Sequence, residues 1–213
     1  APGDTRDRVL ALVQVAHGET RPWRQLLKDA RHLQDEMRAR SAAAALVRNW
    51  QPSMLPGLLQ TADYARLTIA MTDPDGLVED RDGALASRIA HQGMLREPGR
   101  EFHFIIAEHL RRWEPAPGVL APQLAHLASA ARLVAVRLSV LPESYGVVEP
   151  AHNFVIVDPA DDAAPYVSVE LAHGEALVTG TEDVAVYQRA WARLWGAALT
   201  GDEAVDLIRR VIS

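Results

Sequence analysis

Apolar residues recur at helical spacing at the start of the chain, with Val9, Leu10, Leu12, Val13 and Ala16 on one stripe. A second stripe of Trp23, Leu26, Leu27, Ala30 and Leu33 follows Pro22, a residue suited to a helix start. The pattern predicts two short amphipathic helices joined by the polar loop 17–21, with little core of their own. A charged, then alanine-rich stretch from Asp35 to about Ala45 has high helix propensity and gives way to Leu46-Val47-Arg48-Asn49-Trp50 ahead of Pro52. A boundary is therefore expected near Leu46, dividing the chain into a helical segment, 1–45, and a second domain, 46–213.

In that second domain Thr61 is placed to cap a helix over 62–72, and a longer helix is expected over roughly 77–96, before the turn Glu97-Pro98-Gly99-Arg100. The period then changes. Phe102-His103-Phe104-Ile105-Ile106 reads as a strand, 121–131 as a helix, and Val134–Leu141, His152–Val157, Tyr166–Leu171 and Glu175–Val178 as further strands separated by Pro, Gly and acidic turns. The end is helical again, with Val184, Tyr187, Trp191, Leu194 and Ala198 on one stripe. Thr200 and Glu203 have capping-box spacing for a last helix through Ile212. Helices, then strands, then helices imply an α+β fold with a small, mostly antiparallel sheet.

Composition narrows the function classes. The chain has 213 residues, 48% hydrophobic and 23% charged, enough to bury a substantial core. It has no cysteine, which excludes disulfides, thiolate metal sites and cysteine nucleophiles. The net charge of −6 argues against duplex DNA binding through the bulk of the chain. No apolar run is long enough to cross a bilayer and no signal-peptide pattern opens the sequence, which fits a cytoplasmic protein. Abundant Ala and Arg beside a single lysine, Lys28, suggest a high-GC genome.

Nucleophile elbows, phosphate loops, dinucleotide fingerprints and zinc-protease sequences are all missing. The eight histidines are scattered, His103 and His109 included, and the expectation is no metal and no cofactor. Trp191 and Trp195, four apart on an amphipathic helix, are expected in core or interface packing.

The segment Asn49-Trp50-Gln51-Pro52-Ser53-Met54-Leu55-Pro56-Gly57-Leu58-Leu59-Gln60-Thr61-Ala62-Asp63-Tyr64-Ala65-Arg66 resembles the signature of a large family of actinobacterial regulators. Their N-terminal helix-turn-helix is of the xenobiotic-response-element class, and their C-terminal domain, of unknown function, is often described as antitoxin-like. They are frequently encoded beside a small partner protein. Arg88-Ile89-Ala90-His91-Gln92-Gly93-Met94-Leu95 is similar to a further family segment, with His91 where the family usually has arginine. Ala107-Glu108-His109-Leu110-Arg111-Arg112, Gln123-Leu124-Ala125-His126-Leu127, the 136–141 strand and Tyr166-Val167-Ser168-Val169-Glu170 also fit, and the likeness spans about 35–212. It implies an effector-type domain preceded by a headpiece of about five helices. Residues 5–36 resemble only its last helix and the linker helix, so the recognition helix is absent from this sequence.

Read as residues, Pro56-Gly57 suggests a turn, with glycine available for positive φ, and Gln60-Thr61 suggests a helix cap that could also face a polar ligand. Trp50, Gln60, Tyr64, His91, Gln92, Glu108 and Glu170 are the candidate ligand-binding residues, expected around one cleft. The two glutamates would need His91, Arg66, Arg88 or a ligand donor as partners. No catalytic residue is assigned. The resemblance implies a regulatory domain that senses a small-molecule effector or grips a small partner protein, works as a homodimer, and reaches DNA only through the absent headpiece. The alternatives are a small-molecule enzyme of specialised metabolism, using His91, Glu108 or Glu170 as general acid or base, and a dimerisation module.

Overall fold

The structure, a computed structural model, describes residues 20–22, 43–73, 76, 78, 80–146, 150–161, 163–172 and 174–210. Its strands are β1 (Thr20–Pro22), β2 (Ala44–Gln51), β3 (Glu101–Ala107), β4 (Val136–Leu141), β5 (Phe154–Pro159), β6 (Tyr166–Leu171) and β7 (Gly174–Val178). They form one sheet in the order β1-β7-β6-β5-β2-β3-β4. The helices are α1 (Ala62–Thr72), α2 (Arg81–His91), α3 (Leu120–Ala130), α4 (Thr181–Ala197) and α5 (Gly201–Arg209). The fold is α+β, as the order of elements requires.

Four of the six strand pairings are antiparallel, while β2–β3 and β3–β4 are parallel. The parallel half follows from connectivity: parallel neighbours need crossovers, and α1 and α2 join β2 to β3 while α3 joins β3 to β4. The central strand β2 begins inside the alanine-rich stretch assigned to a helix. There tertiary pairing on both sides, to β3 and β5, overrides local propensity.

Other boundaries differ from expectation. Thr20–Pro22 pairs with β7 as a strand, where a loop and helix start were expected. The expected helices over 5–16 and after Pro22 lie outside the described residues. The 77–96 helix is shorter: Asp80 accepts a bond from Gly83 N–H at 2.8 Å to cap α2, which ends at His91 and continues as a 3₁₀ turn, Gln92–Arg96. Thr200 stands at the N-cap of α5, yet its side chain makes no capping bond, so the capping box does not form.

Alternation along the strands feeds two cores. Val47, Phe102, Phe104, Ile106, Leu138, Val140 and Val157 meet Leu124, Leu127, Leu207 and Ile208 of α3 and α5 on one face. Trp50, Ile105, Phe154, Ile156, Val167 and Val169 meet Val184, Ala190, Trp191 and Leu194 of α4 on the other. On this face Val155 and Val157 of β5 stay with the core, whereas Asn49 of β2, Ser168 and Glu170 of β6 and Glu175 of β7 are polar. Among the described residues, no helix packs closely on that face of β6 and β7.

Candidate functional site

The Pro56–Thr61 turn enters α1 with its backbone buried among helices, so its polar groups need internal partners. Three glutamine amides and one arginine supply them. The Gln60 side chain, fully buried, donates through Nε2 to Leu55 O at 2.8 Å, and its Oε1 accepts from Arg88 Nη1 at 3.0 Å and Thr68 Oγ1 at 3.1 Å. Gln92 Nε2 donates to Gly57 O at 3.1 Å and to Gln60 O at 2.6 Å. Gln123 Nε2 donates to Leu59 O at 2.6 Å, while Thr61 N–H donates to Gln123 Oε1 at 2.7 Å. The Thr61 hydroxyl accepts from Tyr64 N–H at 3.4 Å, which makes it the cap the sequence predicts. Gly57 does not use positive φ, and a Cβ there would sit 3.7 Å from Arg88 in ordinary contact.

This cage corrects several of the expected ligand contacts. Gln60 and Tyr64 are fully buried, and Tyr64 packs edge-on against Trp113 at 5.6 Å, with burial pushing its phenol up. Trp50 is also fully buried, but on the opposite face of the sheet, where its Nε1 donates to Pro150 O at 3.3 Å. Gln92 is spent on the turn, and His91 is half-buried beside it at the end of α2. Glu108 stands apart from all of these. It accepts from Arg111 Nη2 and from Glu143 N–H, both at 2.9 Å, tying the end of β3 to the segment after β4. The Glu143 N–H and then the arginines hold the Glu108 carboxyl below its usual range.

Glu170 is different. It projects from β6 opposite Glu175 of β7, and its Oε2 accepts from Asn153 Nδ2 at 2.9 Å. Ser168, two residues earlier on the same face, donates to Glu175 Oε1 at 2.7 Å. Solvent reaches the Glu170 side chain, yet burial raises its carboxyl, against the opposing effects of Asn153 and Arg88, and Glu175 raises it further.

Arg88 of α2 is the cation whose charge acts on Glu170. Burial lowers its guanidinium and the charge of Glu170 acts against that, although the two do not close into an ion pair. Arg88 Nη1 is bonded to Gln60 and Thr68, whereas Nε and Nη2 make no protein hydrogen bond and remain in reach of water. Arg66, the other arginine considered as a partner, pairs with exposed Asp63 at 2.8 Å.

The structure thus brings together Gln60, Tyr64, Arg88 and Gln92 at the caged turn, sets Glu170 on β6 with Asn153, and leaves Trp50 and Glu108 elsewhere. Asn153, Ser168 and Glu175 were not among the expected site residues. Their signal was present in the alternation of Val167 and Val169 with Ser168 and Glu170, which gives β6 one polar face. Among the described residues, no group of three or more His, Asp or Glu could hold a metal ion, and no helix is long and apolar enough to cross a membrane.

The model of a family described as a domain of unknown function, DUF5753, matches residues 34–210. This chain belongs to the DUF5753 family. The match takes in the caged turn, Arg88, Glu170 and every strand but β1, so the residues just described lie wholly within the DUF5753 region. No curated protein gives a significant match.

Proposed function

We propose that this DUF5753 domain is the regulatory part of a helix-turn-helix transcriptional regulator of the xenobiotic-response-element class, and that it senses a small polar ligand through Glu170 and Arg88. The observation that supports ligand sensing is the state of Glu170, open to water yet raised by burial, and under the charge of Arg88, whose Nε and Nη2 have no hydrogen-bond partner among the described residues. The regulatory part of the reading rests on the resemblance of Pro56-Gly57-Leu58-Leu59-Gln60-Thr61 and its companion segments to those regulators. A route for the signal is available, since Arg88 also holds Gln60, and a ligand pulling on Arg88 acts on the caged turn.

A metabolite screen by thermal shift, on this chain and on its Glu170→Gln variant, tests the proposal. A compound that stabilises the first and not the second supports it, whereas equal shifts in both, or none in either, would sink it. The raised Glu170 carboxyl also favours a second reading, an enzyme using it as a general acid. Mass spectrometry of the same hits separates the two, because an enzyme consumes its ligand and a sensor does not.

A further inference from the structure

We infer that the open face of β6 and β7, which carries Ser168, Glu170 and Glu175, is a docking surface for residues 23–42 of this same chain, the stretch that joins β1 to β2.

Strand directions pose the question. Between β1 and β2 lie four antiparallel pairings, β1–β7, β7–β6, β6–β5 and β5–β2, so β1 and β2 point the same way. Residues 23–42 are therefore a crossover between parallel strands of one sheet, and they pass β7, β6 and β5 on one face or the other. The lateral distance is four strand spacings, about 19 Å. The stretch is long enough, since even at helical rise it reaches about 30 Å.

Two independent observations choose the face. The first is handedness. The connections from β2 to β3 and from β3 to β4 step toward the β4 edge, and their helices α1 and α3 reach the core beside Phe102 and Phe104 through Tyr64, Leu124 and Leu127. The step from β1 to β2 runs in the same direction. Parallel crossovers within a sheet share one hand almost without exception, so this third connection belongs on the same face as α1 and α3. The second is occupancy. On the opposite face, Val167 and Val169 of β6 already pack with Val184 and Trp191 of α4. The face of Ser168, Glu170 and Glu175 is the one that no described helix covers closely.

The chemistry of the two surfaces agrees. Residues 23–42 carry Arg24, Lys28, Arg31, Arg38 and Arg40 against Asp29, Asp35 and Glu36, an excess of positive charge, and the face bears Glu170 and Glu175 opposite each other in register. The stripe Trp23, Leu26, Leu27, Ala30 and Leu33 offers apolar surface to Leu177, the register partner of Ser168. The docking follows from strand order and requires no ligand, so it stands or falls apart from the sensing reading above.

Double electron–electron resonance on the full chain tests this, and the absence of cysteine leaves engineered cysteines as the sole labelling sites. Nitroxides go on Ala30→Cys with Glu170→Cys, and on Ala30→Cys with Val186→Cys. Glu170 is exposed on the docking face, whereas Val186 is 52% exposed on α4, across the sheet. The expected distance from 30 to 170 is shorter than that from 30 to 186 by about 10 Å or more, the separation of packed layers. A third pair, Ala30→Cys with Arg66→Cys on exposed α1 surface, keeps the test decisive should a label at 170 displace the stretch, and it too should read shorter than 30 to 186. A 30-to-186 distance no longer than the other two overturns the inference, whether because 23–42 lies on the α4 side or because it docks on neither face.

Discussion

Thr61 and Gln123, 62 residues apart, share a hydrogen bond of 2.7 Å in which the Thr61 N–H at the start of α1 donates to the α3 side chain. The same amide donates to Leu59 O at 2.6 Å, so one fully buried side chain serves both flanks of Gln60. Replacing it with leucine keeps much of its volume and removes both bonds, together with the one the Thr61 hydroxyl donates to Gln123 Oε1 at 3.2 Å. Gln123→Leu is expected to lower stability by about 2–4 kcal/mol, from two buried backbone groups losing partners. Urea unfolding measures this, and a loss under about 0.5 kcal/mol would mean water replaces the amide.

Trp191 lies in the α4 core, 6% exposed, and stacks on Trp195 at 5.5 Å, which in turn stacks on His103 at 5.2 Å. Trp191→Ala is expected to cost about 3–5 kcal/mol as a large core truncation. Trp195→Ala should cost clearly less, because Trp195 is only partly buried. Paired denaturation midpoints decide this, and equal losses would show that the stack acts as a unit.

Much of this fold was legible because most elements obey a single period. β6 occupies Tyr166–Leu171 as read from alternation, and Thr61 caps α1 as read from its hydroxyl. β2 was not legible: Arg48 and Asn49 break its apolar pattern, and what makes it a strand is pairing with β3 and β5, residues far away in sequence. The candidate site divides in the same way. Polar residues in a matched segment look alike whether they hold backbone, as Gln60 and Gln92 do, or stand open to solvent, as Glu170 does. Only the burial of the Pro56–Thr61 turn, a tertiary fact, separates them. Arg88 was named as a partner for Glu170 on charge grounds; its charge acts on Glu170 without closing an ion pair, and Asn153 makes the hydrogen bond.

Asn49 sits in β2 between Phe104 and Val155, and its Oδ1 is buried without a hydrogen bond. An unpaired buried carbonyl costs about 1–3 kcal/mol, and valine suits the strand better. Asn49→Val is expected to raise the unfolding midpoint. A lower midpoint would mean that the Asn49 amide contributes more to the fold than its oxygen costs.

Glu170 and Glu108 should respond to pH with opposite signs. Burial raises the folded Glu170 carboxyl above its ordinary 4.5, so its favourable contribution is complete below that value and is lost as pH rises through the folded pKa. At neutral pH Glu170→Gln should therefore be more stable than the parent, with the advantage shrinking as pH falls and gone below 4.5. The Glu108 carboxyl is lowered, chiefly by the Glu143 N–H, so its contribution is present above 4.5 and is lost as pH falls through the folded pKa. Glu108→Gln should accordingly be less stable than the parent at neutral pH, and the deficit should close in acid. Melting temperatures of the three proteins between about pH 3 and pH 8 check both signs, since that window brackets ordinary carboxylate titration. A Glu170→Gln difference that is constant with pH would show that burial does not raise the Glu170 carboxyl.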